Sequence, residues 1–501
     1  MASLFGLLER SAAAWPEAPA LFEGDDQLAN FAEMRERALS IAEALRSKGL
    51  STGSRVAICR RNSADYIQTL WGIWAAAMVA VPINVRLNPH EVDRILSDSG
   101  AEICFVEADM SEALTSLLRE RGAACTLWTT YVDTANAGDR DAATLPDSSD
   151  VAWLFYTSGT TGAPKGIMLS HANLFQMVNA YRAEVDSISP GDCQIHYAPL
   201  SHGSGMYMLA HVAAGAANVV ATGGTLTFDD LSARISTHKG ASIFCAPTML
   251  KALCKSAATD SAIASGLKLI ICGGAPTTAR DYFEADRILA GRLAEIYGQG
   301  ECPMTISRLT RDDIVRGVAG RDEAFLDSVG FPFAGIDVRI DVDGGDRAGE
   351  ICVKGPPVML GYWRDPSATA TALVDGWLHS GDAGHFSADG MLVLTDRTKD
   401  IIISGGMNIS PSEIEHVLAE HPDVAEVAAV GLPDPYWGEK VVACIVLRAG
   451  AKLCIEQLDQ LCLEKMARFK RPKEYHVIDR IPLNATGKIV RNEIMKIINP
   501  N

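Results

Sequence analysis

Residues 156–166, with the sequence YTSGTTGAPKG, form the densest group of side chains in the chain that could bind phosphate oxygens. The stretch follows the apolar run 151–155, so a strand is expected to lead into it. Glycines expose backbone N–H groups and tolerate positive φ angles, which lets a loop close around anionic oxygens. The groups that would line such a loop are Thr157, Ser158, Gly159, Thr160, Thr161, Gly162 and Lys165. The pattern predicts a loop that holds a phosphate chain.

The spacing within this stretch differs from that of a Walker phosphate loop. That motif places serine or threonine directly after its lysine, whereas Gly166 follows Lys165 here. Residues 166–169 are apolar enough for a second strand, and Ser170 is a suitable N-cap for a helix. The sequence therefore predicts a strand, a phosphate-binding loop and a second strand.

The elements around the loop indicate an α/β protein with more than one core, since 501 residues exceed the usual size of one domain. Helical patterns alternate with short β-branched runs, for example 32–48 followed by 55–59. This alternation is typical of parallel sheets covered by helices. We expect a large N-terminal domain of mixed and parallel sheets, residues 1–397.

A change of pattern near Arg397 predicts a second, smaller domain at residues 398–501. Ser410 and Glu413 have the spacing of a capping box, and a helical apolar stripe follows. Two apolar runs, 424–432 and 440–447, then predict strands. This second domain is expected to be α+β.

Composition narrows the class of function. A formal net charge of −17 disfavours a nucleic-acid binder, because the mean field repels polyanions. The twelve cysteines include no C-x-x-C pair, so neither a zinc site nor a disulfide framework is indicated. The apolar run 70–81 is too short to span a bilayer and suits a buried helix followed by a strand. No signal peptide is evident, which predicts a cytoplasmic protein and leaves a homodimer open.

Five further motifs follow the loop in the chain. Four of the five contain an aromatic ring, a carboxylate or a cation, which are residue types suited to nucleotide chemistry, and one is a glycine-rich turn that follows an apolar run. The five motifs are Gly273-Gly274-Ala275-Pro276, Tyr297-Gly298-Gln299-Gly300-Glu301, Trp377-Leu378-His379-Ser380-Gly381-Asp382, Asp396-Arg397-Thr398-Lys399 and Asn484-Ala485-Thr486-Gly487-Lys488.

The loop and these motifs, in this order, resemble the adenylate-forming superfamily of acyl-CoA synthetases, amino-acid-activating adenylation domains and beetle luciferases. The resemblance runs from about Phe5 to the last residues. It implies an acid–thiol ligase that uses ATP to form an acyl-adenylate and then transfers the acyl group to coenzyme A. It also implies that the small domain is mobile, with Lys399 as its hinge.

The resemblance further implies a role for each motif residue. Tyr297 and Gly298, with Gly274, Ala275 and Pro276, would surround adenine, and Asp382 and Arg397 would meet the ribose and phosphate. Glu301, with Thr157, would hold Mg²⁺. The catalytic group would be Lys165, His202, Glu301 and Lys488. Gly300 departs from the family pattern, which has threonine there.

The segment after the loop bears on the acid that is activated. By the resemblance, the acyl pocket would be lined by His202, Met206, Tyr207, Gly298 and Gly300. No arginine lies between Pro199 and Leu209, which disfavours a dicarboxylate such as malonate. No aspartate lies there either, so an amino acid would lack an ammonium partner. Fatty acids and arylpropenoic acids both remain open.

A local excess of basic residues predicts the coenzyme A site. Between Lys465 and Lys496, nine lysines and arginines face three acidic residues. The predicted contacts are Ser404, Gly405, Gly406, Arg468, Lys470 and Arg471. Two alternatives stay open: an amino-acid-activating enzyme that loads a separate carrier protein, and a non-catalytic nucleotide-binding relative.

Overall fold

The computed structural model describes most of the chain. The described residues are 3–132, 145–158, 164–224, 227–257, 261–275, 277–342, 348–397, 401–448, 450–452, 454–482 and 489–499. Several predicted site residues lie outside these ranges: Gly159, Thr160, Thr161, Gly162, Pro276, Lys399 and Lys488.

A seven-stranded sheet carries the two strands that flank the phosphate loop. Its central strands are parallel, and the strands 151–158 and 164–170 form an antiparallel pair, as the sequence predicted. In spatial order its strands are Gly361–Tyr362, Pro164–Ser170, Val151–Ser158, Val79–Pro82, Arg55–Cys59, Ile103–Val106 and Thr126–Trp128. The last pair of this hairpin, Ser158 and Pro164, fixes where the first strand ends and the second begins.

A nine-stranded sheet holds the motifs around Gly274 and Tyr297. Its inner strands are parallel and its two ends are antiparallel. In spatial order its strands are Phe331–Pro332, Cys302–Leu309, Leu293–Gln299, Leu267–Gly273, Ala241–Cys245, Cys193–Ile195, Ala217–Val220, Pro19–Glu23 and Asp26–Asn30. Carboxyl ends of parallel strands share one edge, which brings the two motifs together.

Helices cover both of these sheets and begin at side-chain caps such as the capping boxes of Asn30 and Asn88. The α-helices of the large domain are Leu4–Ala14, Phe31–Ser47, Ala64–Ala75, Pro89–Ser99, Ala108–Arg121, His171–Glu184, Gly203–Ala213, Phe228–Thr237, Pro247–Ala257, Ser261–Gly266, Ala279–Leu289, Arg311–Gly320, Glu323–Leu326 and Pro366–Ala372. A short 3₁₀ turn spans Thr222–Gly224. The run 70–81 ends a buried helix and forms a buried strand, as predicted.

A third, antiparallel sheet completes the large domain and contains Asp382. Its strands are Asp337–Asp341, Gly349–Lys354, Trp377–Phe386, Leu373–Val374 and Leu392–Arg397. Asp382 and Arg397 are paired in register across two of them, although the Arg397 side chain lies outside the described atoms.

The small domain is α+β. Its strands are Ile402–Ser404, Met407–Ile409, Val424–Asp434, Gly438–Leu447 and Glu474–Val477, and its helices are Pro411–Ala419, Ile455–Lys465 and Arg491–Ile498. The helix at Pro411 begins where predicted, but the Ser410 side chain makes no cap hydrogen bond. The predicted capping box is therefore wrong, because the Glu413 carboxylate is directed to Lys470 instead.

The cysteines and the apolar helices bear on two further expectations. All twelve cysteines are free thiols and ten of them are buried, as expected for reduced core residues. Within the described ranges, no helix has both the length and the apolar character needed to cross a membrane. A cytoplasmic location and the oligomeric state stay predictions.

Candidate active site

One cavity of about 650 Å³ lies between the two domains and brings together most of the predicted residues. This volume is typical of a ligand site. The predicted residues on its wall are Thr157, Lys165, His202, Met206, Gly274, Ala275, Tyr297, Gly298, Gly300, Glu301, Asp382, Gly406 and Lys470. Motifs as distant in sequence as Thr157 and Asp382 thus share a single site.

The phosphate side of the cavity is built on the antiparallel strands around the loop. Thr157 and Lys165 pair directly across these strands. The Lys165 ammonium lies 5.2 Å from the centroid of the Tyr362 ring, and the Tyr362 hydroxyl donates to Glu301 Oε1 at 2.6 Å. Burial and Glu301 raise the pKa of Tyr362, so its hydroxyl remains a donor. Tyr362 therefore contacts both a cation, over its ring, and a carboxylate, through its hydroxyl.

Tyr362 was not predicted as a site residue. It follows Gly361 in a two-residue strand that pairs with residues 167 and 168 after the loop. In the sequence Leu360-Gly361-Tyr362-Trp363 nothing marks this tyrosine as a neighbour of the loop. Only strand pairing brings it there.

The nucleoside side of the cavity contains Tyr297 and Asp382. The Tyr297 hydroxyl donates to Asp382 Oδ2 at 2.7 Å. The turn before Asp382 is held by Glu350, which accepts from the Gly381 N–H at 2.8 Å. Gly274, at the end of its strand, has a φ of 83°, a conformation that glycine adopts without strain. A ring and a carboxylate suited to a nucleoside are thus rigidly placed.

Glu295 is a second cavity residue that sequence reasoning missed. It lies two positions before Tyr297 on the same strand and is only 2% exposed. Its Oε2 has no hydrogen-bond partner among the described residues, and burial raises its pKa well above the ordinary value. Burial therefore favours the protonated form of this carboxyl group, which borders the cavity.

The departure at Gly300 has a structural reason. A Cβ atom added there would lie 2.5 Å from Ile167 Cδ1 and 2.9 Å from Phe155 Cδ1. The volume that a threonine side chain would need is therefore taken by Phe155 and Ile167. Phe155 also meets the His202 ring edge-on, with centroids 5.7 Å apart.

His202 stands immediately before the helix Gly203–Ala213, and its Nδ1 lies 2.9 Å from Ser201 Oγ. Enclosure by protein, together with the nearby Arg86 charge, lowers the pKa of His202 to about 4. The imidazole is therefore neutral near pH 7.

The part of the cavity predicted to hold the acyl group has an apolar wall. Met206, Phe244 and Met304 line it, and Met304 has the unusual φ of 62° for a residue with a side chain. A Cβ atom at Gly203 would overlap Met304 Cε and lie 2.8 Å from Phe244 Cε1. Met304 and Phe244 therefore pack closely against Gly203 at the start of the helix.

Tyr207, predicted to line the acyl pocket, lies behind this wall. Its ring centroid is 5.5 Å from that of Phe244 and 5.0 Å from that of Tyr181. The next helical residue after Met206 is rotated by about 100°, so Tyr207 packs into the core. It supports Phe244 instead of facing the cavity.

The small domain presents few of its predicted coenzyme A residues to the cavity. Gly405 and Gly406 have φ angles of 58° and 77°, and Ser404 is buried. Arg468 is exposed, whereas Arg471 is ion-paired with Asp459. Lys470 is 5% exposed and lies between two carboxylates, so in this arrangement its ammonium does not face a solvent-side phosphate.

The AMP-binding enzyme family matches residues 8–363, and the C-terminal domain of AMP-binding enzymes matches residues 413–488. The chain belongs to the AMP-binding enzyme family. Its motifs and cavity are thus those of a family member, and the predicted superfamily is confirmed.

Curated relatives of this family member cover almost its whole length. It is 35% identical over 497 residues to a feruloyl-CoA synthase of an Amycolatopsis species, with 96% of each chain covered. It is 30% identical over 544 residues to a long-chain-fatty-acid–CoA ligase of Bacillus subtilis, covering 99% of this chain and 94% of the relative.

Among solved structures, one relative is seen with several ligands. This is the o-succinylbenzoate-CoA synthetase of Bacillus subtilis, 28% identical to this family member, with 97% of each chain covered. The TM-score is 0.86 for a double mutant bound to a product analogue, OSB-NCoA. It is 0.70 for the complex with the acyl-adenylate intermediate OSB-AMP.

Proposed function

We propose that the acid activated by this chain is a compact aryl acid of the arylpropenoic type. The reaction class is that of its relatives: the chain is an ATP-dependent, AMP-forming acid–CoA ligase. The observation that carries the choice of acid is the closely packed apolar wall formed by Gly203, Phe244 and Met304. The cavity must also hold the nucleotide, so a long alkyl chain would have too little room.

The chemistry proceeds in two steps. A carboxylate oxygen attacks the α-phosphorus of ATP, forming the acyl-adenylate and expelling pyrophosphate. The thiol of coenzyme A then attacks the acyl carbon, forming the thioester and releasing AMP with the thiol proton going to solvent. The protein mainly orients the reactants and stabilises charge.

We assign the charge-stabilising tasks to the two groups that Tyr362 contacts, Lys165 and Glu301. Lys165 would meet phosphate oxygens, and its attraction to the ring keeps the ammonium near the cavity. Tyr297 and Asp382 would hold adenine and ribose. The neutral His202 would lie by the reacting carboxylate, where an uncharged ring avoids pairing with the nucleophile. Lys488, outside the described residues, would complete the set during adenylation.

Glu301 and Thr157 fit a magnesium site in their chemistry, because carboxylate and hydroxyl oxygens are ligands that Mg²⁺ accepts. Both line the same cavity. When bound, Mg²⁺ would neutralise phosphate charge. The Tyr362 hydroxyl bond to Glu301 Oε1 orients the carboxylate for that task.

Coenzyme A would enter beside the small domain, past Gly405, Gly406 and the exposed Arg468. The ammonium of Lys473, 5.2 Å from the Trp437 ring centroid, adds a cation near this path. Positive φ angles at both glycines let the backbone turn tightly there.

A screen of carboxylic acids for ATP- and coenzyme A-dependent AMP release tests the proposal. Cinnamate-type acids should exceed hexadecanoate and malonate in kcat/KM. Met304→Ala should raise the activity with decanoate relative to cinnamate, because it opens the end of the pocket. The matched control, Met495→Ala in the small domain, should leave this ratio unchanged.

Two outcomes would count against the proposal. A preference of the wild-type enzyme for hexadecanoate would overturn the aryl assignment while keeping the ligase class. Pyrophosphate exchange that depends on an amino acid, with transfer to a carrier protein, would favour the adenylation alternative.

A further inference from the structure

Three charged side chains meet at the cavity wall where the two domains touch. The Lys470 ammonium lies 2.5 Å from Glu91 Oε1 and 2.7 Å from Glu413 Oε1. All three side chains are almost fully enclosed. Burial lowers the pKa of Lys470, but Glu413 and Glu91 together raise it above its ordinary value, so the lysine stays charged.

The triad joins segments of different domains. Glu91 belongs to the helix Pro89–Ser99 of the large domain, whereas Glu413 and Lys470 belong to the small domain. A second contact lies beside it, where Asn88 Nδ2 donates to the Glu464 carbonyl at 3.1 Å. Buried charges are costly unless they are paired, so this triad favours one relative placement of the domains.

If the domains separated, both carboxylates would keep a partner. Glu413 would remain beside Lys470, because both belong to one domain. Glu91 would remain satisfied as well, because its Oε2 accepts from the Asn88 N–H at 2.9 Å in a capping box. The bond between Glu91 and Lys470 is therefore the one that can open without leaving either group unpaired.

Solved structures of one relative indicate which placement of the small domain the triad accompanies. One synthetase matches this chain better when bound to a coenzyme A product analogue than when bound to its acyl-adenylate, with TM-scores of 0.86 and 0.70. Sequence identity and coverage are the same in both comparisons, so the difference lies in the arrangement of the chain. The chain as a whole is therefore arranged more as in the coenzyme A analogue complex.

We propose that Glu91 and Lys470 are positioning residues for acyl transfer: their ion pair holds the small domain in the arrangement that admits coenzyme A. This replaces the prediction that Lys470 meets a phosphate of coenzyme A. The inference rests on the proposed two-step ligase function. Adenylation, in which the small domain would be placed differently, does not use the pair.

Measuring the two half-reactions separately tests this role in the full-length enzyme. Adenylation is followed by pyrophosphate exchange with the best acid of the screen. Transfer is followed by thioester formation from the supplied acyl-adenylate and coenzyme A. Glu91→Gln and Lys470→Met should each slow transfer at least ten-fold while pyrophosphate exchange stays within two-fold of wild type.

Matched controls come from an ion pair inside the small domain. Lys440 Nζ lies 2.5 Å from Glu474 Oε1. Lys440→Met and Glu474→Gln should leave both half-reactions unchanged. Glu91→Gln distinguishes positioning from phosphate binding, because Glu91 carries no positive charge to bind a phosphate and can slow transfer only through the placement of the small domain.

Retained pyrophosphate exchange also shows that a variant is folded. The inference is overturned if both half-reactions fall equally, or if Glu91→Gln slows neither. If Glu91→Gln is normal and only Lys470→Met has a lower apparent affinity for coenzyme A, Lys470 contacts a phosphate as first predicted, and the positioning role is overturned. Absence of both half-reactions in the wild-type enzyme would overturn the proposed function, and this inference with it.

Discussion

The large and the small domain reach the same cavity by different means. The large domain contributes Tyr297, Glu301 and Asp382 from strands or strand ends that hydrogen-bonded sheets hold in place. The small domain contributes a hairpin, a helix start and the segment Phe469–Lys470, held to the large domain near the cavity by the triad. Groups for nucleotide chemistry are thus fixed, whereas groups that depend on the placement of the small domain are held by a contact that can open.

The largest expected effect concerns the fixed side. Glu301→Ala should lower the rate of pyrophosphate exchange by on the order of 10²–10³-fold, the loss typical of removing one group that stabilises transition-state charge. The exposed Glu112→Ala is the control and should behave as wild type. Transfer from supplied acyl-adenylate should change much less, because no pyrophosphate leaves in that step. Equal losses in adenylation and in transfer would mean that Glu301 does not act mainly in adenylation.

A smaller effect is expected at Gly300, where the cavity wall of the large domain departs from the family pattern. Gly300→Thr should lower kcat/KM for adenylation by about 10- to 100-fold, because overpacking against Phe155 and Ile167 costs roughly 1–3 kcal/mol. Adding Phe155→Leu should recover part of the loss. Gly191→Thr is the control, since no atom lies within 4 Å of a Cβ there. Wild-type activity of Gly300→Thr would show that Phe155 and Ile167 can move to make room for the threonine side chain.

The smallest effect concerns the stability of the large domain in acid. Burial lowers the pKa of His171 to about 4, of His196 to about 3 and of His211 to about 4, from 6.5. Below pH 6.5 the unfolded chain binds more protons than the folded one, so stability falls as the pH falls. Between pH 7 and 5.5 each histidine should cost about 1 kcal/mol.

Thermal unfolding at the two pH values measures this loss. His211→Met cannot be protonated and should reduce the fall in Tm between pH 7 and 5.5. The exposed His90→Met should not alter that fall. An unchanged pH dependence in His211→Met would show that the buried histidines do not govern the acid response of the large domain.

Local patterns identified what the chain does, because nucleotide chemistry is carried by short contiguous motifs. The strands around residues 156–166, the α/β class and the family all followed from residues adjacent in sequence. The helix at Pro411 was also predictable, since its proline and apolar stripe are local. The capping box at Ser410 failed for the opposite reason: Glu413 has a stronger partner, Lys470, 57 residues away.

The sequence by itself determined the reaction class, because each motif carries its own chemistry wherever the chain places it. Only the tertiary structure decided which residues share a wall with those motifs. Strand pairing places Tyr362 against Glu301, and Phe155 occupies the space beside Gly300. Lys470 forms an ion pair with Glu91 across the domain interface. Such contacts join residues far apart in sequence, and their energies depend on burial and distance that no local pattern records.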